Sequence, residues 1–406
     1  MSNSILTIDM ITRKALEILE NNLVLTRNVN RAYDDSFAIE GAKIGSTLRI
    51  RLPDRAVVTD GAALVVQDDN EQFTTLTVSS QKHIGINFTS AELTLQLDDF
   101  AERVLKPRIS QLASSIDADV AKIAYQGIGQ SVGTPGVTPA TSAVLLAAQQ
   151  KLNESAVMMD PRYATVNPAA NAALVEGMKG FFNPTGTISR QFKTGMMGEG
   201  VLGYSEVAMS QSIQNHTTGN FPAAPIVSVT SVDGDTSISM SFTSGTKTLL
   251  KGDVFTVANV FAVNPQTRQS TGSLQQFVVV SDRATSGAAT AFSVPAVDVY
   301  PPIYGPTLAL ATVNRLPTSG DVITFVGTAS TGYPQNLVYH KDAITFATAD
   351  LLMPQGVDMA SRQVHNGISL RIVRQYDINN DRLPCRIDVL YGASVIRPPM
   401  GVRIWG

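Results

Sequence analysis

The chain opens on helical spacing. Ile8, Ile11, Ala15 and Ile18 recur at three- and four-residue steps, with Thr7 placed as a cap and Asp9 in the first turn, so an amphipathic helix is expected. Arg13, Lys14, Glu17 and Glu20 surround the apolar stripe, which must dock either on the chain's own body or on a neighbour. From Gly45 the period falls to two. Thr47, Arg49 and Arg51 share one face and Leu48, Ile50 and Leu52 the other, until Pro53 stops the strand. A second alternating run occupies Thr74 to Phe88. Between the two runs, Asp60-Gly61 and the acidic cluster Asp68, Asp69, Asn70, Glu71 read as the tip of a long two-stranded excursion. An isolated hairpin is marginal in water, so such an arm makes sense when another surface supports it.

Leu105, Ile109, Leu112, Ile116, Val120 and Ile123 then mark a long helix, closed by Gly127 and Gly129. Pro107 lies inside the pattern, and a shorter helix beginning near Leu97-Asp98-Asp99 is expected to meet the longer one there at a kink or break. Ser131 to Thr141 reads as a loop, Val144 to Leu152 as a helix, Tyr163 to Val166 as a strand, and the alanine-rich stretch from Ala169 as a further helix. A linker from Gln214 to Pro225 follows. From Ile226 to about Thr331 nearly every apolar segment alternates or is β-branched, as in Val254-Phe255-Thr256-Val257, Phe277 to Val280 and Val322-Ile323-Thr324-Phe325, which indicates an all-β unit. Leu370-Ile372 and Ile387-Val389-Tyr391 are strands that end near Pro398-Pro399.

Composition narrows the class. At 406 residues the chain has material for two or three packed units. Charged residues make up only 16%, against about 25% in ordinary proteins, so much of the surface is uncharged and suited to burial against other subunits. The net charge of −3 and the lack of a basic run remove the footprint of a dedicated nucleic-acid binder, but a shell that merely encloses DNA needs none. Cys385 is the sole cysteine, so no intrachain disulfide or thiolate zinc site is possible. Met1 to Ile8 has no signal-peptide pattern and no apolar run reaches membrane-span length, so the protein is expected to stay where it is made.

Catalytic chemistry finds little support. His83, His216, His340 and His365 stand singly and read as solvated or satisfied residues. Gly198, Gly200 and Gly203 spell a dinucleotide fingerprint, but the flanking strand and helix it requires are missing: Arg190 to Met197 is polar and Tyr204-Ser205-Glu206-Val207 alternates. Asp233-Gly234-Asp235 and Asn379-Asn380-Asp381 read as turns, and Asp98-Asp99 as helix-start acids.

The order of these elements resembles the Hong Kong 97 capsid fold, an α+β architecture. Within it the chain resembles the coat proteins of the phage P22 type, which carry an inserted β domain. The resemblance is carried by Ser90 to Lys106 (SAELTLQLDDFAERVLK), Tyr163 to Ala170 (YATVNPAA), Lys251 to Phe277 (KGDVFTVANVFAVNPQTRQSTGSLQQF) and Leu383 to Arg397 (LPCRIDVLYGASVIR). It implies an N-terminal arm over 1–44, an extended hairpin arm over 45–88, a peripheral domain with a spine helix over 89–143 and 346–406, an axial domain over 144–220, and an inserted β domain over 221–345.

The function implied is that of a major capsid protein. Such proteins assemble as pentamers and hexamers into the icosahedral shell around the double-stranded DNA of a tailed bacteriophage. Assembly takes place in the host cytoplasm with a scaffolding protein and a portal ring, and the shell expands on packaging. Catalytic residues, cofactors and metals are then expected to be none. Arg49, Arg51 and Arg55 at the arm's base and Asp68, Asp69 and Glu71 at its tip are the expected inter-subunit contacts; Asp9, Arg13 and Glu17 are the expected scaffold or inner-surface contacts. Asp60 to Phe73 contains no Lys, so the Lys-to-Asn cross-link of the fold's founding member is not expected. An encapsulin-like nanocompartment shell is the competing reading, and an enzyme with a β-rich accessory domain a third.

Overall fold

The structure is a computed structural model, and it describes residues 8–32, 46–62, 64, 66, 72–88, 104–178, 194–195, 197–242, 247–285, 292–378 and 382–406. The chain divides into two compact units: Met1–Ile50, Thr74–Val120 and Ile344–Ile396 form one, and Arg51–Phe73, Ala121–Ala343 and Arg397–Gly406 the other.

The first unit is built on an antiparallel sheet in which Ile344–Thr348, Leu383–Val395, Ile368–Arg374 and Met359–His365 follow in order, with Ser80–Phe88 paired along Leu383–Val395. Asn366 and Gly367 both take positive φ and join two of these strands, the Asn-Gly chemistry that a two-residue hairpin turn demands. The helix Ile8–Asn22 packs on Met359–His365 and Ile368–Arg374, so its apolar stripe docks on its own chain. The residues it buries are Thr12, Ala15, Leu16 and Leu19, while Ile11 and Ile18 are only half-buried, so the buried stripe lies one position along from the expected one.

The helix Lys106–Gly127 buries Ile109, Leu112, Ile116 and Val120. Its Pro107 is the second residue of the α-helix, where a missing N–H costs little, and Val104 and Leu105 just before it are π-helical. The Leu97 to Asp99 segment lies outside the described residues.

Among the described residues, the second unit contains two large sheets and the short pair Lys247–Leu249 with Arg283–Thr285. In one, Ser131–Val132, Gly401–Trp405, Gly332–His340, Arg162–Val166, Tyr204–Met209 and Gly198–Val201 are neighbours in that order. The helices Ser142–Glu154 and Pro168–Gly177 share a core with it, made of Leu145, Ala148, Leu152, Leu174, Val207, Val338, Val402 and Ile404. Asn167 caps the second of these helices by accepting from the Ala170 amide at 2.8 Å, and Pro168 occupies its first position. The other sheet runs Ile323–Phe325, Val254–Val263, Ser270–Val279, Phe292–Ile303, Asp235–Phe242 and Ile226–Val227, around Phe255, Val257, Phe277, Val279, Val299 and Ile323.

The β-rich segment therefore ends before Gly332. Gly332–His340 pairs with Arg162–Val166 and with Gly401–Trp405, a long-range pairing that places it in the α/β part. Asn215–Thr217, expected as linker, is a short strand on Gly332–His340.

Candidate functional site

The residues singled out by the sequence lie on the pair of strands Ser46–Arg51 and Phe73–Val78, on the segment between them, and on the N-terminal helix. Ser46–Arg51 pairs with Phe73–Val78. Arg49 and Arg51 are exposed on one face while Ile50 is buried on the other, and Leu76 and Val78 are buried on the partner strand, as strict alternation dictates. The Leu52 amide donates to the Gln72 carbonyl at 2.8 Å, the last rung of the pair. Beyond that rung, Val58, Leu64 and Val66 are 86%, 89% and 80% exposed, more than a solitary globule leaves to aliphatic side chains in series. Arg55 is half-buried near Tyr300, whose hydroxyl is pushed up by burial and held back in part by that guanidinium. Asp68, Asp69 and Glu71 lie outside the described residues.

On the N-terminal helix, Asp9 accepts from the Ser361 hydroxyl at 2.5 Å. Glu17 is exposed and pairs with Lys14 at 3.1 Å, and Arg13 is exposed. Of the three expected contact residues, Asp9 is therefore engaged by its own sheet.

The features that resemble catalytic motifs have structural roles. Gly198, Gly200 and Gly203 lie on a hairpin, Gly198–Val201 paired with Tyr204–Met209, and all three take positive φ. His216 is buried with its Nε2 2.9 Å from Asp253 Oδ1, and Asp253 also accepts from the amides of Gly219 and Leu250. Arg403 is buried over the Trp405 ring, donating to the Gly252 carbonyl; burial pulls it down to about 9, against the opposing pull of Asp253 and Tyr125. Burial pushes the Cys385 thiol up to about 12 and raises the Tyr204 and Tyr391 hydroxyls. These shifts favour neutral thiol and phenol, the reverse of an activated nucleophile. Among the described residues, no group of three or more His, Cys, Asp or Glu side chains is placed to hold a metal ion, and no helix is long and apolar enough to cross a membrane.

Comparison with known proteins decides the class. Residues 1–406 match the family described as P22 coat protein - gene protein 5. The chain belongs to the P22 coat protein family. Membership makes it a major capsid protein of a tailed phage, a structural subunit and not an enzyme, whose copies form the shell and whose place is the virion capsid. The α+β, Hong Kong 97-type class expected from the sequence goes with the P22 coat protein family.

No curated protein is similar in sequence. Among solved structures, one from Mycobacterium phage Che8 is 12% identical with a TM-score of 0.48, covering 94% of this chain and 90% of its own. The capsid structure of the Cyanophage P-SCSP1u is 10% identical with a TM-score of 0.42, covering 89% and 83%. The asymmetric unit of the bacteriophage PhiM1 mature capsid is 13% identical with a TM-score of 0.40, covering 91% and 83%. The assignment to the P22 coat protein family stands on the match along the whole chain.

The described signals that sequence reading missed are the Asn366-Gly367 turn, legible as a dipeptide, and the buried carboxylates of Asp117, Asp253 and Asp388, each an acid amid apolar positions.

Proposed function

We propose that this capsid subunit closes its shell through the exposed segment between Leu52 and Gln72, which lies over an adjacent subunit, while the two strands at its base remain part of its own fold. The observation that carries this reading is the run of exposed aliphatic side chains Val58, Leu64 and Val66 between paired strands. A soluble monomer has no use for such a run, whereas a subunit that buries it on assembly gains roughly 25 cal/mol for every Å² removed from water.

Arg49, Arg51 and Arg55 at the base and Asp68, Asp69 and Glu71 toward the tip supply ionic pairing with the neighbour. Each exposed pair is worth only about 0 to 1 kcal/mol, so the charges select the register and the apolar contacts, summed over many copies, hold it. Arg13 and Glu17 on the exposed side of the N-terminal helix are open to a scaffolding protein.

The domain reading is likewise ours: an N-terminal arm over 1–44, the extended arm over 45–88, a peripheral domain around the five-stranded sheet and the long helix, an axial domain around Arg162–Val166, and an inserted β domain from about 221 to 331. Copies assemble as pentamers and hexamers in the host cytoplasm with a scaffolding protein and a portal ring, enclose double-stranded DNA without reading its sequence, and expand on packaging.

Electron microscopy of the full chain expressed with the other head proteins of its virus tests the reading. Closed shells of uniform size are expected. Soluble monomers alone, under conditions in which those partners are present, overturn it.

A further inference from the structure

The hairpin that joins Met359–His365 to Ile368–Arg374 turns on the one Asn-Gly dipeptide in the chain. Its last ladder pair is His365 with Ile368, so the Gly367 nitrogen stands outside the ladder. Asn366 and Gly367 have φ of 48° and 73°, and Asn366 is exposed. A glycine that follows asparagine has no Cβ to shield its nitrogen, so that nitrogen can close on the asparagine side chain.

The same turn holds the N-terminal helix. Asn366 Nδ2 donates to one Glu20 oxygen, His365 Nε2 lies 3.5 Å from the other, and the Asn366 carbonyl accepts from Arg31 Nη1 at 2.6 Å. Glu20 stands in the last turn of Ile8–Asn22, where the helix dipole disfavours a carboxylate and where the sequence supplies no Lys or Arg. Its side chain is only 20% exposed, so it depends on what the turn donates. The opposite side of the turn is anchored independently. There the Thr348 hydroxyl donates to the Gly367 carbonyl at 3.1 Å and accepts from the Ser369 amide at 3.0 Å.

We propose that Asn366 is a site of spontaneous covalent modification that frees the last turn of the N-terminal helix from the sheet. The Gly367 nitrogen gives up its proton and attacks Asn366 Cγ. As the new bond from nitrogen to Cγ forms, the bond from Cγ to Nδ2 breaks, and Nδ2 leaves as ammonia carrying that proton. Water then opens the five-membered imide at either carbonyl, leaving aspartate or isoaspartate, with nothing oxidised or reduced.

Either product cuts the link to Glu20. The donor that faced Glu20 is replaced by a second carboxylate, and isoaspartate also adds a carbon to the backbone of a two-residue turn. Arg31, already on the Asn366 carbonyl, is a cation to which the new charge can turn, whereas Glu20 repels it. Thr348 still holds the turn to the sheet, so the helix end is what comes away. The modification belongs to the single subunit and is independent of where its arm rests.

The folded full-length chain is aged in mildly alkaline buffer and followed by peptide mapping and hydrogen exchange. Conversion is expected at Asn366, read as the mass gain of an amide-to-acid exchange. With it comes roughly tenfold faster exchange at Leu19 to Asn22, the loss of one hydrogen bond to a charged group. Asn366→Asp is expected to show the faster exchange without ageing. Glu20→Gln in that same chain is expected to restore the slow rate, because the glutamine amide donates to the new carboxylate, a rescue that a merely weakened turn does not show. If Asn366 stays an amide over the time in which the urea-unfolded chain converts, the site is overturned. Conversion with unchanged exchange at Leu19 to Asn22 overturns the release, and the unaltered chain decides the matter should Asn366→Asp fail to fold.

Discussion

Asp117 is a charged residue on the buried side of the long helix, 1% exposed, and it is held there by what it accepts. Its carboxylate takes the amides of Val24 at 2.7 Å, Leu25 at 3.3 Å and Thr26 at 3.0 Å, and the Thr26 hydroxyl as well. The N-terminal helix ends at Asn22, so the backbone that leaves it turns directly into this acceptor. Asp117→Ala leaves several buried donors without a partner, each costing about 1 to 3 kcal/mol. Hydrogen exchange at the amides of 24–26 is expected to accelerate while the Val254–Val263 strand keeps its protection; unchanged exchange at 24–26 refutes the clamp. Cys385 gives a second residue-scale prediction. Its thiol is raised from the ordinary 9.0 to about 12 by burial, with Arg374 opposing, so the folded chain favours the neutral form, and the stability this lends is lost as pH rises from the unfolded value toward 12. At about pH 9, where a free thiol is largely reactive, alkylation of Cys385 is expected only as fast as the chain unfolds, and immediate alkylation of the native protein contradicts the burial.

Elements were legible where one face is buried and the other wet. Alternation over Thr47 to Leu52 located Ser46–Arg51 and the three-four spacing located Lys106–Gly127, but the single run expected over Thr74 to Phe88 is two strands: Phe73–Val78 pairs with Ser46–Arg51, and Ser80–Phe88 pairs with Leu383–Val395 instead. What periodicity does not carry is which of two adjacent stripes is buried. On the N-terminal helix Thr12 and Leu19 face the sheet where Ile11 and Ile18 were expected, because the docking surface and not hydrophobicity alone sets the rotation. Nor does it carry partners. Gly332–His340 reads like the β segment before it, yet its ladder is closed by residues more than 160 positions away in Arg162–Val166. Gly392 shows the same limit, since nothing local marks it as special. A methyl group there stands 2.2 Å from the Thr77 carbonyl oxygen and 2.9 Å from the Val78 Cα, backbone that has no rotamer to escape into. Gly392→Ala is expected to cost about 1 to 3 kcal/mol or more, read as a lower melting temperature with faster exchange at Thr77 and Val78. Gly85→Ala, with open space around it, serves as the control and is expected to leave both unchanged.

At the scale of the whole molecule, the order of elements, more than any single motif, made the class legible; an arm resting on another surface was expected from the two alternating runs, and the structure adds the exposure of Val58, Leu64 and Val66 that the proposed role uses. Among the described residues from Arg51 to Gln72 none is buried, so this stretch contributes almost nothing to either unit's core. The ladder beneath it is closed by the Leu52–Gln72 bond and by the Thr47 and Thr77 hydroxyls 3.1 Å apart. Replacing Asp54 to Glu71 by Asn-Gly, the dipeptide that turns a hairpin most readily, therefore removes the arm and keeps its base. The isolated subunit is expected to retain its circular dichroism, the emission of the buried Trp405, and a melting temperature within about 4 °C of the unaltered chain, the shift that roughly 1 kcal/mol produces in a large domain. Shells, by contrast, are expected to be lost altogether, because the exposed aliphatic run and five acidic side chains go with the deletion. If the shortened chain unfolds, the segment belongs to its own fold. If it still closes shells, the subunits hold one another by other surfaces, and the purpose assigned here to the exposed valines and leucine is wrong.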